Sequence, residues 1–219
     1  AALTSDAVQE VALPEAIDQQ NRSTCPTAAA EVFMAKNHPS EYARIIAGLA
    51  SPEGKVQLAG GSVATRTAGT ELADDTNRSI PARLWNPSMM NAAAPNLAYD
   101  NVKDAFANGQ TGLYDNQFNS LLEQLTGHDF VQRDASAGFK WATLRKIKNA
   151  TSTQGMVPTH LNWGRRTNGA WEGGHMVDVT SVKDGRVYYA NPWGQEESMT
   201  KREFKKRMVA TQIEQPAAS

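Results

Sequence analysis

The chain has 219 residues, with 22 basic and 23 acidic side chains and a formal net charge of −1. A chain of this length can bury a large core, either in one domain or in two closely packed lobes. The balanced charge argues against a nucleic-acid partner, because the densest basic cluster, residues 201–207, is better explained as the solvent-facing side of a terminal helix. A single cysteine excludes an internal disulfide framework and a cysteine-based zinc site, so we expect no metal and no cofactor.

Hydropathy and the first residue bear on where the protein works. No apolar run approaches the roughly 20 residues that a bilayer-spanning helix needs, so we expect no membrane span. The chain starts at Ala1 without a methionine, which favours a processed product or an excised fragment. Together with the lack of disulfides, these features favour a soluble protein that a bacterium secretes or translocates, as an effector or a toxin. The sequence does not indicate an oligomeric state.

The clearest helix signal begins at the only cysteine. Residues 1–18 show little periodicity and predict an irregular arm. Pro26 suits the first helical position, because its missing N–H would have no partner there, and the alanines and apolar residues that follow carry the helix to about Lys36. Cys25 therefore lies at or beside the N-cap, where unpaired N–H groups and the helix dipole favour a thiolate. Cys25 is a candidate nucleophile; the alternative is a small buried hydrophobic residue.

Helical patterns dominate the rest of the first 150 residues. The sequence predicts a loop over residues 51–78, which is unusually long, so this stretch is either a mobile feature or a misread element. In chain order the sequence predicts a helix over Glu41–Leu49, a loop over 51–78 with a strand at Lys55–Leu58, helices between 79 and 126 that include a short one marked by Val102 and Phe106, a brief strand at Phe130–Gln132, and a helix starting near Ser136.

After residue 150 the patterns become extended. Met156–Trp163 predicts a strand, and Met176–Val182 and Arg186–Ala190 predict a hairpin that turns at Asp184-Gly185. A capping-box pattern at Thr200–Glu203 starts a last helix. The predicted class is α+β, with a helical lobe over 1–150 and an antiparallel β lobe with a terminal helix over 151–219, forming one catalytic domain overall.

A nucleophilic cysteine needs an imidazole partner, and four histidines are available: His38, His128, His160 and His175. His175 stands out because it follows Gly173-Gly174, which permit close approach of another segment, and opens the hairpin. Asn191 ends the return strand, so the antiparallel hairpin brings it beside His175. Its side-chain oxygen can accept the imidazole N–H and leave the other ring nitrogen for Cys25, while Trp193 covers the hydrogen bond.

These residues together resemble a known family. Gln19-x5-Cys25 at a helix start, Gly174-His175 opening a strand, and Asn191-Pro192-Trp193-Gly194 closing its hairpin resemble the papain-like cysteine peptidases, with calpains and bacteriocin-processing peptidases as similar variants. The resemblance implies a papain-like fold with Cys25 as nucleophile, His175 as general base and acid, and Asn191 as the orienting group. It also implies that Gln19 donates to the oxyanion beside the Cys25 N–H, although Gln20 competes for this role.

The resemblance covers only the residues around Cys25 and around His175, and Cys25-Pro26 stands where many members have Cys-Trp or Cys-Gly. It implies a thiol hydrolase that cleaves peptide bonds in a protein or peptide substrate through a Cys-His-Asn triad. One alternative is a papain-fold glutamine deamidase or a transglutaminase-like acyltransferase, because all of these enzymes share the acyl-thioester intermediate. A second alternative is a non-catalytic binding domain with an inert thiol.

Overall fold

The structure, a computed structural model, describes residues 2–135 and 138–215. Within these ranges seven α-helices and ten β-strands alternate unevenly, with most helices first and most strands last. In chain order they are α1 Ala2–Ala12, α2 Cys25–Asn37, α3 Pro39–Ala50, β1 Lys55–Gln57, β2 Val63–Thr65, α4 Ile80–Ala93, β3 Tyr99–Asp100, β4 Ala105–Phe106, α5 Asp115–Thr126, β5 Phe130–Asp134, α6 Lys140–Gln154, β6 Val157–Arg165, β7 Trp171–Lys183, β8 Arg186–Asn191, β9 Gln195–Thr200, α7 Lys201–Arg207 and β10 Met208–Glu214.

Helix α2 is the centre of the helical lobe. It begins at Cys25, with Pro26 in the first turn, and every residue from Pro26 to Ala35 is buried. A helix that is apolar all round needs neighbours on all sides, and α2 has them in α1, α3, α4, α5 and the face of strand β7. The predicted helix is therefore confirmed, and its N-terminal end is held by packing along the whole element.

The predicted irregular arm over residues 1–18 is wrong, because most of it forms helix α1. Leu3, Ala7 and Val11 follow each other at intervals of four and pack against the core of the helical lobe. This spacing places them on one face of a helix. The signal was present in the sequence, but alternating small and polar residues obscured it.

The connecting segments contain two short hairpins, of which the sequence predicted one strand of the first and none of the second. The strand predicted at Lys55 is confirmed as β1, which pairs with β2 inside the stretch 51–78. The short helix predicted from Val102 and Phe106 is wrong: Tyr99–Asp100 pairs with Ala105–Phe106 instead. Val102 lies in the turn with 84% of its surface exposed, so it contributes no apolar helix face.

The β lobe is a six-stranded antiparallel sheet in the order β5-β10-β6-β7-β8-β9. The predicted hairpin is confirmed as β7 and β8, with Asp184 and Gly185 both at positive φ in the turn. The predicted last helix is α7, and the Thr200 hydroxyl caps it by accepting from the Glu203 N–H at 3.2 Å. This helix does not end the chain, because β10 follows at once and inserts between β5 and β6.

The α+β class is confirmed, and the buried apolar side chains form two large clusters: one joins helices α2–α5 to the sheet through Met176 and Ala190, and the other packs α6 and α7 against the sheet. The core of the β lobe includes Leu144 and Ile147 of α6, which packs across β7 and β10. The boundary predicted at residue 150 falls inside α6, so the β lobe draws on residues from β5 onward. The start predicted for this helix near Ser136 lies outside the described residues. Among the helices that the structure describes, none combines the length and the apolar character needed to cross a bilayer.

Candidate active site

A groove of about 620 Å³ runs between the two lobes and holds both Cys25 and His175 in its walls. Its first wall comes from the loop that leads into α2 and from the loop before α5, and its second wall comes from β6, β7 and the turn after β8. The lining residues are Gln19–Ser23, Cys25, Pro26, Thr111–Leu113, His160, Trp163, Gly164, Glu172–Met176 and Trp193. The groove therefore joins segments as far apart in sequence as Gln19 and Trp193.

Cys25 is the first residue of α2 and lines this groove, where it is partly buried. The loop before it is fixed by Asp104, whose two carboxylate oxygens accept from the Ser23 N–H at 2.9 and 2.7 Å. Arg22 extends from the same loop to an ion pair with Asp75 and donates to the Val102 carbonyl. These contacts tie the cysteine loop to the β3–β4 hairpin and preorganise the position of the thiol.

The electrostatic setting of Cys25 differs from the one predicted for a helix N-terminus. The pKa of the thiol is raised to about 11, chiefly by burial and also by the charge of Asp104, while hydrogen bonding to backbone N–H groups of Met176 and Cys25 acts in the opposite direction. The prediction that a position at the helix N-terminus favours the thiolate is therefore wrong, because desolvation of the anion outweighs the backbone hydrogen bonds that stabilise it. Deprotonation of this thiol needs a base within the site.

His175 lies buried on β7, and its Nε2–H donates to Asn191 Oδ1 at 2.8 Å. The hairpin register pairs Asp178 with Ala190, which brings the two residues into range at the open end of the hairpin. The Asn191 amide nitrogen donates to Glu197 Oε1 at 2.8 Å on β9. Burial lowers the pKa of His175 and nearby His160 lowers it further, whereas Asn191 and the charge of Glu197 raise it.

Two tryptophans enclose the His175 ring. Trp193 stacks on it with ring centroids 4.4 Å apart and an interplanar angle of 25°. Trp163 of β6 contacts the ring at 4.8 Å and meets Trp193 edge to face at 5.6 Å. Trp193 thus covers the His175 ring, as predicted, by stacking on it. Trp163, which the sequence did not indicate, covers the ring from a second side.

The structure also distinguishes Gln19 from Gln20. Gln19 is buried, and its amide nitrogen donates one hydrogen to the Arg22 carbonyl at 2.7 Å, while its second hydrogen has no acceptor among the described residues. Gln20 has a positive φ of 59° and hydrogen-bonds the side chain of Asp18 through both its backbone N–H and its amide nitrogen. The amide nitrogen of Gln20 is thus engaged with Asp18, whereas that of Gln19 is engaged with the Arg22 carbonyl.

The segment that carries Gln19 is attached to the turn that follows Asn191. The Gln19 N–H donates to the Pro192 carbonyl at 2.8 Å, and the Gly194 N–H donates to the Ile17 carbonyl at 3.1 Å. Asp18 and Trp193 form the β-bridge between these two hydrogen bonds. The predicted oxyanion donor and the predicted orienting residue are thus connected by backbone, and each helps to position the other.

A second imidazole, that of His160, also lines the groove, although nothing in the sequence favoured it over the other histidines. His160 on β6 pairs through Nδ1 with Asp115 Oδ1 of α5 at 2.9 Å. A Cβ on Gly174 would overlap the His160 ring, whereas a Cβ on Gly173 would meet nothing within 4 Å. The predicted close approach at the glycine pair is confirmed for Gly174, and its partner is His160.

Comparison with known proteins finds little similarity at the level of sequence. No protein-family model matches the chain, and no curated protein matches it. Among solved structures, the chain is similar to a protein described as a C39-like peptidase from Bacillus anthracis, with 11% sequence identity and a TM-score of 0.36. The similarity covers 48% of this chain and 60% of that chain, so this chain spans less than two thirds of the length of that protein.

Proposed function

We propose that the protein is a thiol hydrolase that cleaves peptide bonds in a protein or peptide substrate. The observation that carries the proposal is that Cys25 and His175 line one groove while His175 Nε2 is committed to Asn191. The Nδ1 atom of His175 is then left without a proton and available to the thiol. A buried thiol, a base and an orienting amide together have the composition of a nucleophilic cysteine site.

In the proposed reaction, His175 Nδ1 takes the proton from Cys25 and the thiolate attacks the carbonyl carbon of the scissile bond. The imidazolium then gives its proton to the leaving amine, which departs and leaves an acyl-thioester on Cys25. A water molecule gives up a proton to His175, attacks the thioester and releases the acid product and the free thiol. Asn191 holds the ring in one tautomer, and the two tryptophans keep bulk water from this hydrogen bond.

The developing oxyanion needs donors, and two are available beside the thiol. We assign this role to the Gln19 amide nitrogen and the Cys25 backbone N–H. One such donor contributes about 3–4 kcal/mol in comparable sites. Comparing Gln19→Ala with Gln20→Ala tests the assignment: the first is expected to lower kcat by about 100-fold or more, and the second to leave most of the activity.

The proposal is tested by incubating the protein with a peptide library and reading the products by mass spectrometry. New peptide termini, absent with Cys25→Ala and with His175→Ala, are the expected result. Lys183→Ala, at the far end of the same hairpin, serves as a control that keeps its turnover. Retention of full turnover by Cys25→Ala would refute a thiol mechanism.

The same experiment separates the alternatives that share the thioester intermediate. Conversion of glutamine to glutamate without new termini would make the protein a deamidase, and linkage of an acyl group to an added amine would make it an acyltransferase. A thiol that iodoacetamide does not alkylate at any pH would support a binding domain with an inert cysteine.

A further inference from the structure

A second cluster of ligating side chains lies at the other end of α2. His38, which caps the C-terminal end of α2, meets His128 from the loop after α5 and Glu214 from β10. One ligand atom from each of the three lies within 4.8 Å of the other two. Neither the groove nor the proposed reaction uses these residues.

The three donor atoms of the cluster are close enough to share one metal ion, and the His38–Glu214 pair has the separation found in a tetrahedral site. His38 Nε2 lies 3.2 Å from Glu214 Oε1, and His128 Nδ1 contacts the same oxygen. Bonds of 2.0–2.2 Å to zinc in a tetrahedral site place neighbouring ligand atoms about 3.3 Å apart. Two imidazoles and a carboxylate, with a fourth position for water, form a donor set that zinc accepts.

The surroundings hold the ligands in place and leave a route from solvent. The side chain of Glu214 is 11% exposed, that of His38 21% and that of His128 39%, so the carboxylate lies innermost and the imidazoles cover it. The His38 ring also packs against Phe33 at 5.6 Å and against the His128 ring at 5.7 Å. Glu214 is held by the pairing of β10 with β5, where it is opposite Phe130.

We propose that His38, His128 and Glu214 bind one divalent transition-metal ion of the zinc type. The ion would join the end of α2 to strand β10 and so link the helical lobe to the sheet. Helix α2 has 13 residues at a rise of about 1.5 Å each, so the proposed site is roughly 20 Å from Cys25 and separate from the groove. Each imidazole binds as the neutral tautomer that presents its unprotonated nitrogen to the metal.

The test uses the full chain carrying Cys25→Ala, because the thiol and His175 would otherwise compete for zinc. After treatment with a chelator, the protein is titrated with zinc chloride against a chromophoric chelator, and thermal unfolding is followed at each zinc concentration. We expect one zinc per chain and a Tm that rises with zinc concentration. His128→Asn and Glu214→Gln are each expected to weaken binding by about 100-fold or more.

His160→Asn is the matched control, because His160 is also a partly exposed imidazole paired with a carboxylate but has no third ligand among the residues that the structure describes. It is expected to keep full zinc affinity. The proposal is overturned if the chain binds no zinc below millimolar concentrations, or if His128→Asn binds zinc as tightly as its parent. Thermal unfolding of each variant without zinc is measured as well, so that a loss of zinc binding is interpreted only for variants that fold. The outcome is independent of peptidase activity.

Discussion

Glu197 accepts a hydrogen bond from the amide nitrogen of Asn191 at 2.8 Å, and this contact decides which end of that amide faces His175. The oxygen and nitrogen of an asparagine amide have nearly the same shape, but a carboxylate can accept only from the nitrogen. The Asn191 oxygen therefore points at His175, where it accepts from Nε2–H at 2.8 Å. Glu197 acts through Asn191 and is a positioning residue of the proposed site.

Removing this carboxylate tests the arrangement. In Glu197→Ala the Asn191 amide can turn over, and the charge that raises the pKa of His175 is lost. We expect kcat to fall by about tenfold with little change in KM, and the acid limb of the pH profile of kcat/KM to move to lower pH, because His175 then stays unprotonated, and able to act as the base, down to lower pH.

Glu196→Ala provides the control for that change. Glu196 is the neighbouring residue on β9, but it accepts from the Thr180 hydroxyl at 3.1 Å and does not touch Asn191. Its replacement is expected to leave the pH profile in place. An equal shift in both variants would mean that general surface charge, and not the contact with Asn191, sets the behaviour of His175.

The reactivity of Cys25 is expected to depend on His175. Burial raises the pKa of the thiol to about 11, so a thiolate at neutral pH must come from proton transfer to the imidazole. The natural chain is expected to react with iodoacetamide below pH 8, whereas in His175→Ala, which lacks the acceptor for the thiol proton, the midpoint of the alkylation rate should move to higher pH. The measurement is the rate of mass gain against pH. The same midpoint in both proteins would contradict the coupling of the two groups.

Much of the site geometry could be predicted because it depends on local signals. The Asp184-Gly185 turn defines the hairpin, and the hairpin register alone brings His175 to Asn191. The start of α2 is equally local, since Pro26 marks it. These features involve contacts over short stretches of sequence, where turn chemistry and strand alternation are informative.

The remaining features depend on pairings between distant segments. Trp163 and His160 reach the groove only because β6 pairs with β7, and Glu197 reaches Asn191 only because β9 borders β8. The raised pKa of Cys25 follows from burial by both lobes, which no local pattern reports. In the same way, the meeting of His38 with His128 requires the fold, so four scattered histidines gave no indication of a metal site.

The buried carboxyl group of Asp178, on the strand that carries His175, predicts an unusual pH dependence of stability. Asp178 on β7 is fully buried, and neither of its carboxylate oxygens has a hydrogen-bond partner among the described residues. Burial raises its pKa well above the usual carboxyl value, so the folded state holds this proton more tightly than the unfolded state. Its contribution to stability is full below the unfolded pKa and is lost as pH rises toward the folded one.

Asp178→Asn removes that titration. Between pH 4 and pH 8 the free energy of unfolding of the variant, relative to the natural chain, is expected to rise, because only the natural chain loses stability as Asp178 gives up its proton. Urea unfolding at the two pH values measures the difference. Asp184→Asn, in the turn of the same hairpin, is expected to change it little. A parallel pH dependence in Asp178→Asn and the natural chain would show that Asp178 does not carry the effect.

The glycine pair before His175 gives a prediction in which two adjacent positions behave differently. Neither Gly173 nor Gly174 has a positive φ, so an alanine can adopt the backbone of either. At Gly173 the added methyl group meets no atom within 4 Å, but at Gly174 it overlaps the His160 ring. We expect Gly174→Ala to cost about 1–3 kcal/mol of stability and to lower activity, because the ring must leave Asp115 and press into the groove.

The clash can be relieved from the other side. In the double variant Gly174→Ala/His160→Ala the space occupied by the imidazole is free, so its stability should exceed the sum of the two single effects by at least about 1 kcal/mol. Gly173→Ala, alone and combined with His160→Ala, should show no such coupling. Thermal unfolding of the set measures the coupling energy. If the free-energy changes of Gly174→Ala and His160→Ala were additive, the His160 ring would not pack against Gly174. The position of the His160 imidazole in the wall of the groove would then be contradicted.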